Sequence, residues 1–126
     1  MRMLIATILI LAVFFAMSIY MSHYISISTD RVADKINKLE NAIEAQEWQE
    51  ADKYMDKTTS DWDKTKSIWL TFLEHSEIDN IDIVLARLQK FVSIKKDTEA
   101  LGEVAELKLL IKHVEHKTAF RLGNIL

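Results

Sequence analysis

The stretch LEHSEIDNID, residues 73–82, gathers one histidine and four carboxylates into ten positions. Imidazole and carboxylate side chains together could ligate Zn, Fe or Mn, or could move a proton as a general acid and base. Helix mechanics accounts for much of the same cluster. Ser76 followed three residues later by Asp79 has the spacing of a capping box, and Glu77 and Asp79 fall in a first turn, where carboxylates complement the positive end of the helix dipole. His75 is then expected to close the preceding helix, where a cation is favoured. Asp82 stands apart: it lies past the first turn and about 60° from the centre of its helix's apolar face. If residues 76–95 and 98–122 form an antiparallel hairpin, His113 comes level with Asp82, Asp79 and the Glu74/His75 corner, while His116 points away. The candidate metal ligands are therefore His75, Asp79, Asp82 and His113, with a divalent metal the one cofactor the pattern suggests. A buried Asp82–His113 pair fixing the register is the structural alternative. The Glu-x-x-His spacing of di-iron bundles is absent.

The elements that would hold these residues are helices. Apolar content is 49%, Pro and Cys are absent, and Gly occurs only at 102 and 123, a composition that favours an all-α chain of one domain and excludes disulfides and thiolate metal sites. Residues 3–21, MLIATILILAVFFAMSIYM, carry no charge. At about 1.5 Å per residue they roughly match a hydrocarbon core of about 30 Å. The run is longer than a usual signal-peptide core and SIS at 26–28 is a poor cleavage site, so an uncleaved anchor is expected, with Tyr20 and Tyr24 in an interfacial belt. Arg2 and the free amine favour a cytoplasmic N-terminus, which puts the remainder outside the cytoplasmic membrane. The organisation expected is an anchor with short flanks over 1–28 and a helical bundle over 29–126.

Four amphipathic faces follow the anchor. Val32, Ile36, Leu39 and Ile43 mark the first, opened by Ser28, Thr29 or Asp30 as a cap, or continuing directly from the membrane helix. Trp48, Ala51, Met55, Trp62, Trp69 and Leu73 mark the second, with Tyr54 and Phe72 on one shoulder; TTSD at 58–61 could interrupt it. Its three tryptophans fall within about 60° of one another, the arrangement of a packed core, with an aromatic ligand cage as the alternative. Ile78, Ile81, Leu85, Leu88 and Val92 mark the third. The fourth is capped by Asp97 or Thr98, carries Val104, Leu107, Leu110, Ile111 and Val114, and is expected to stop at Gly123 behind Arg121, with Ile125 and Leu126 folding back. Short connections between such faces imply an antiparallel bundle of about four helices.

A formal net charge of −3 with no Lys/Arg block disfavours nucleic acid as a partner. No glycine-rich phosphate loop, Gly-x-Ser-x-Gly elbow or His-Glu-x-x-His pair occurs, so an enzyme is not expected.

The apolar N-terminus, Trp62, FLEHSEIDNIDIVLARLQKF, ALGEVAELKLLIKHVEHK and the terminal LGNIL together resemble a domain-of-unknown-function family of small, N-terminally membrane-anchored helical bacterial proteins. The resemblance spans nearly the whole chain and is carried by the segments around Glu74, His75, Glu77, Ile78, Asp79, His113 and Asn124. It implies no catalytic role for any of them, and it implies a neighbouring multi-span membrane protein as partner. The reading as a whole is a membrane-anchored interaction or accessory module, monomeric or weakly homodimeric, with a metal- or proton-responsive bundle as the alternative.

Overall fold

The computed structural model describes residues 1–71 and 73–125, with side chains up to residue 118. It contains four helices and, among the described residues, no strand: α1 (Arg2–Glu44), α2 (Trp48–Trp69), α3 (His75–Ser93) and α4 (Asp97–Ile125). α1 packs on α2 and α4, and α3 packs on α4 and α2, so the helices form an antiparallel ring with α1 and α3 on one diagonal.

α1 is one helix of 43 residues, about 64 Å long. The apolar segment and the first bundle helix are therefore the same element, and the boundary expected at 28/29 is crossed without a break. Nothing in residues 2–44 forces a break, since both glycines lie elsewhere and proline is absent. Ser28 and Thr29 do not cap. Their hydroxyls donate to the Ile25 carbonyl at 3.0 and 2.8 Å, because both face the core, and a buried hydroxyl is satisfied most simply by its own helix. α2 likewise runs through TTSD. Thr58 donates to the Tyr54 carbonyl at 2.7 Å and Thr65 to that of Asp61 at 2.8 Å.

Two further expectations about helix ends are corrected. α3 begins at His75, with Glu74 in extended conformation as the N-cap and no side-chain capping bond. Ser76 thus lies inside the first turn, not at the cap, and His75 opens α3 instead of closing α2. At the other end α4 continues through Gly123 to Ile125; the expected fold-back of Ile125 and Leu126 lies outside the described residues.

The turns after α1 and α3 are built alike. Gln46 N–H donates to the Ile43 carbonyl and Glu47 N–H to Ala42, while Lys95 N–H donates to Val92 and Lys96 N–H to Phe91. These are paired Schellman bonds around a left-handed residue, Gln46 at φ 55° and Lys95 at φ 57°. The Gln46 amide also donates to Asp97 Oδ2 at 3.0 Å, tying the two turns together at one end of the bundle. The α2–α3 turn and the end of α4 lie at the other end, toward the apolar half of α1.

The core is a single cluster. Ile36, Leu39 and Ile43 of α1, Met55, Trp62 and Trp69 of α2, Ile78, Ile81, Leu85 and Leu88 of α3, and Val104, Leu107, Ile111 and Val114 of α4 are all buried within it. Their spacing in each helix follows the apolar stripes of the sequence.

Candidate functional site

The tryptophan stripe and the carboxylate cluster meet at one point, by a route the spacing arguments missed. Trp62 is 2% exposed, and its indole N–H donates to Asp82 Oδ1 at 2.7 Å. One turn further along α2, Lys66 donates to the other oxygen, Asp82 Oδ2. Asp82 thus joins α3 to α2 through a neutral and a charged donor, the arrangement in which a partly buried carboxylate keeps both oxygens satisfied. Hydrogen bonding to Asp82 holds the Lys66 ammonium above its ordinary 10.5, against the opposing effect of burial; the charges of Asp82, Asp63 and Asp79 act in the same upward direction. Trp69 stacks edge-on against Trp62, with ring centroids 5.5 Å apart and planes at 86°, and its N–H points to Ser28 Oγ at 3.4 Å. Trp62 and Trp69 are core, as the heptad spacing implied, and Trp48 packs on the edge of the same core.

The four proposed metal ligands are not brought together. Asp82 faces α2, where Trp62 and Lys66 occupy it, so the expected Asp82–His113 contact does not form. Asp79 is exposed on α3, close enough to Lys66 to act on its charge. His75 is exposed at the start of α3. His113 is exposed on α4 and lines a surface cleft between α3 and α4 with Glu74, Ser76, Asn80 and Leu110. Across that cleft Lys117 donates to Glu77 Oε1 at 2.6 Å. The hairpin register was therefore read correctly in height, but α3 is rotated so that Asp82 looks toward α2 and Glu77 toward α4. Among the described residues no group of three or more His, Cys, Asp or Glu side chains is arranged to hold a metal ion.

Other ion pairs staple neighbouring helices. Arg87 spans Glu103 at 2.9 Å and Glu106 at 2.8 Å between α3 and α4, and Lys108 pairs with Glu40 between α4 and α1. Asp97 accepts from Gln46 and from the Thr98 N–H, and these bonds hold its carboxyl below the ordinary 3.8.

The most distinctive surface belongs to α1. An apolar window of mean hydropathy 2.5 within it contains no buried residue, making α1 the one described helix long and apolar enough to cross a membrane. Exposure ends abruptly: Tyr20 is 68% exposed and Ile25 is 5% exposed.

The sequence model of the family described as Domain of unknown function (DUF4363) matches residues 19–125. The match takes in the whole bundle and begins at the end of the apolar run, and the chain belongs to that family. No curated protein and no solved structure matches it.

Proposed function

We propose that this family member is a single-pass membrane protein, N-terminus in the cytoplasm, whose bundle serves as a non-enzymatic interaction or accessory module for a partner in the same membrane. The observation that carries this reading is α1, which passes without a hinge from an exposed apolar segment into the centre of a packed core. A module built in this way is held at fixed height and orientation, which suits docking against another membrane protein and is of no use to a freely diffusing domain. The carboxylate that stood out in the sequence supports the same reading: Asp82 spends both oxygens on holding α2 to α3, leaving none for a reacting group.

The test is alkaline extraction of membranes, followed by photo-crosslinking from the exposed Leu109, which is 68% exposed. The chain is expected to stay in the membrane pellet and to yield one discrete adduct with another membrane protein. Release by alkali, or a crosslinked pattern indistinguishable from that of an unfolded control, would overturn the proposal.

A further inference from the structure

Resting on the reading of α1 as a membrane span, we infer that the lower end of the bundle, formed by residues 70, 71, 73 and 74 of the α2–α3 connection and the last turns of α4, sits in the lipid headgroup layer, so that the bilayer surface is itself a docking partner of the bundle.

The argument is one of heights along α1. Residues 3–21 extend about 29 Å as helix, against a hydrocarbon core of about 30 Å. Arg2 stands at one end of the run and exposed His23 at the other, so the hydrocarbon boundary lies at Met21 with little freedom to slide. Met21 and Ser22 are already partly covered by protein and Ile25 is 5% exposed. Ile25 is about 6 Å above Met21 at the helical rise, and a headgroup layer is roughly 5–7 Å deep on each side. The bundle has no stand-off; its walls begin where the acyl chains end.

Two registers identify the elements at that level. Ser28 accepts from Trp69, and an indole leans toward its own helix's N-terminus, so the Trp69 backbone and the turn after it lie below the Ser28 contact. Glu40 meets Lys108, which in an antiparallel pair sets the end of α4 level with about residue 23 of α1. Tilt does not alter this. At a typical 20° and an interaxial distance of 8–10 Å, α2 rises or sinks by only about 3 Å.

The lower limit is set by chemistry. Ionisable side chains are expensive to place in hydrocarbon, and Glu74 and His75 beside the turn are exposed and polar. This end therefore goes no deeper than the wet headgroup region, where half-buried Leu70, Leu73 and Tyr24 find a mixed apolar and polar surrounding.

The chain has no cysteine, so single variants carry one fluorophore each. Full-length Ile10→Cys, Thr71→Cys and Lys95→Cys are labelled and reconstituted in phosphatidylcholine vesicles, with nitroxide either on the headgroup or in mid-chain. The label at 10 is expected to lose most of its emission to the mid-chain quencher, the label at 71 to the headgroup quencher, and the label at 95 to neither. A label at 71 no better quenched than that at 95, with the label at 10 still quenched, overturns this inference and leaves the span intact. An unquenched label at 10 overturns the span, and the inference with it.

Discussion

Replacing Asp82 by Ala is expected to destabilise the bundle by about 2 kcal/mol. The largest part comes from Trp62, whose N–H is left without an acceptor while its ring is 2% exposed; an orphaned buried donor costs about 1–3 kcal/mol. Loss of the Lys66 pair adds little, because both side chains are 34% exposed and such pairs contribute about 0–1 kcal/mol. For a bundle of this size 2 kcal/mol corresponds to roughly 8–16 °C in melting temperature, read from tryptophan emission of the full chain in detergent. Lys66→Met should cost less than about 1 kcal/mol. In a Trp62→Phe background, where no N–H awaits an acceptor, Asp82→Ala should cost about 1 kcal/mol less than in the wild type. A melting curve for Asp82→Ala within about 0.5 kcal/mol of wild type, or an equal loss in both backgrounds, would refute the claim that Asp82 is held for its bond to Trp62.

Lys95→Gly should raise stability by about 0.5–1 kcal/mol in denaturant titrations, because Lys95 holds a left-handed conformation in which its Cβ is strained, whereas Gly sacrifices only chain entropy. Ser76→Ala should change the melting temperature by no more than about 0.5 kcal/mol's worth, since Ser76 is exposed and caps nothing. Asp97 is held below its ordinary value, so its contribution is present at neutral pH and is lost as the pH falls through its folded-state value, below about 4; Gln46→Ala should make the acid limb of a stability–pH curve shallower. Addition of Zn, Mn or Fe should leave the melting temperature unchanged, because Asp82 is already held by Trp62 and Lys66 and His75, Asp79, Asp82 and His113 are not gathered into a metal-holding group; a rise that chelator reverses would restore a metal site.

The stripes Val32–Ile36–Leu39–Ile43 and Ile78–Ile81–Leu85–Leu88 were legible because burial imposes a 3.6-residue period that needs no knowledge of the partner. Helix ends were not legible to the same degree. Ser28 and Ser76 are both residue types that cap, and Ser76 also has the capping-box spacing to Asp79, but a cap is realised only where the helix begins, and here the hydroxyls of buried Ser28 and neighbouring threonines were free to bond back into continuous helices. Asp82 was recognisable as an oddity near an apolar face. Its partners were less so, because height fixes which residues can meet while the rotation of α3 about its own axis fixes which do. One local signal was available: Trp62 and Lys66 are two donors one turn apart on α2, and a buried indole N–H demands an acceptor from the facing helix.

The unbroken α1 also fixes an angular phase. At 100° per residue, Thr7, Leu11, Phe14 and Ser18 fall within about 40° of the middle of the seam where Ile25 and Thr29 enter the core. Those four residues therefore mark the side of the exposed apolar segment that is in line with the bundle. Any neighbour that grips the apolar segment on that side meets the bundle at its end, and one that grips the opposite side does not. Inserting one residue between Ser22 and Ile25 would turn that side by about 100° while lifting the bundle only about 1.5 Å. Compass bearing and height can thus be varied almost independently, which makes the azimuth of the bundle as much an encoded property of this chain as its fold.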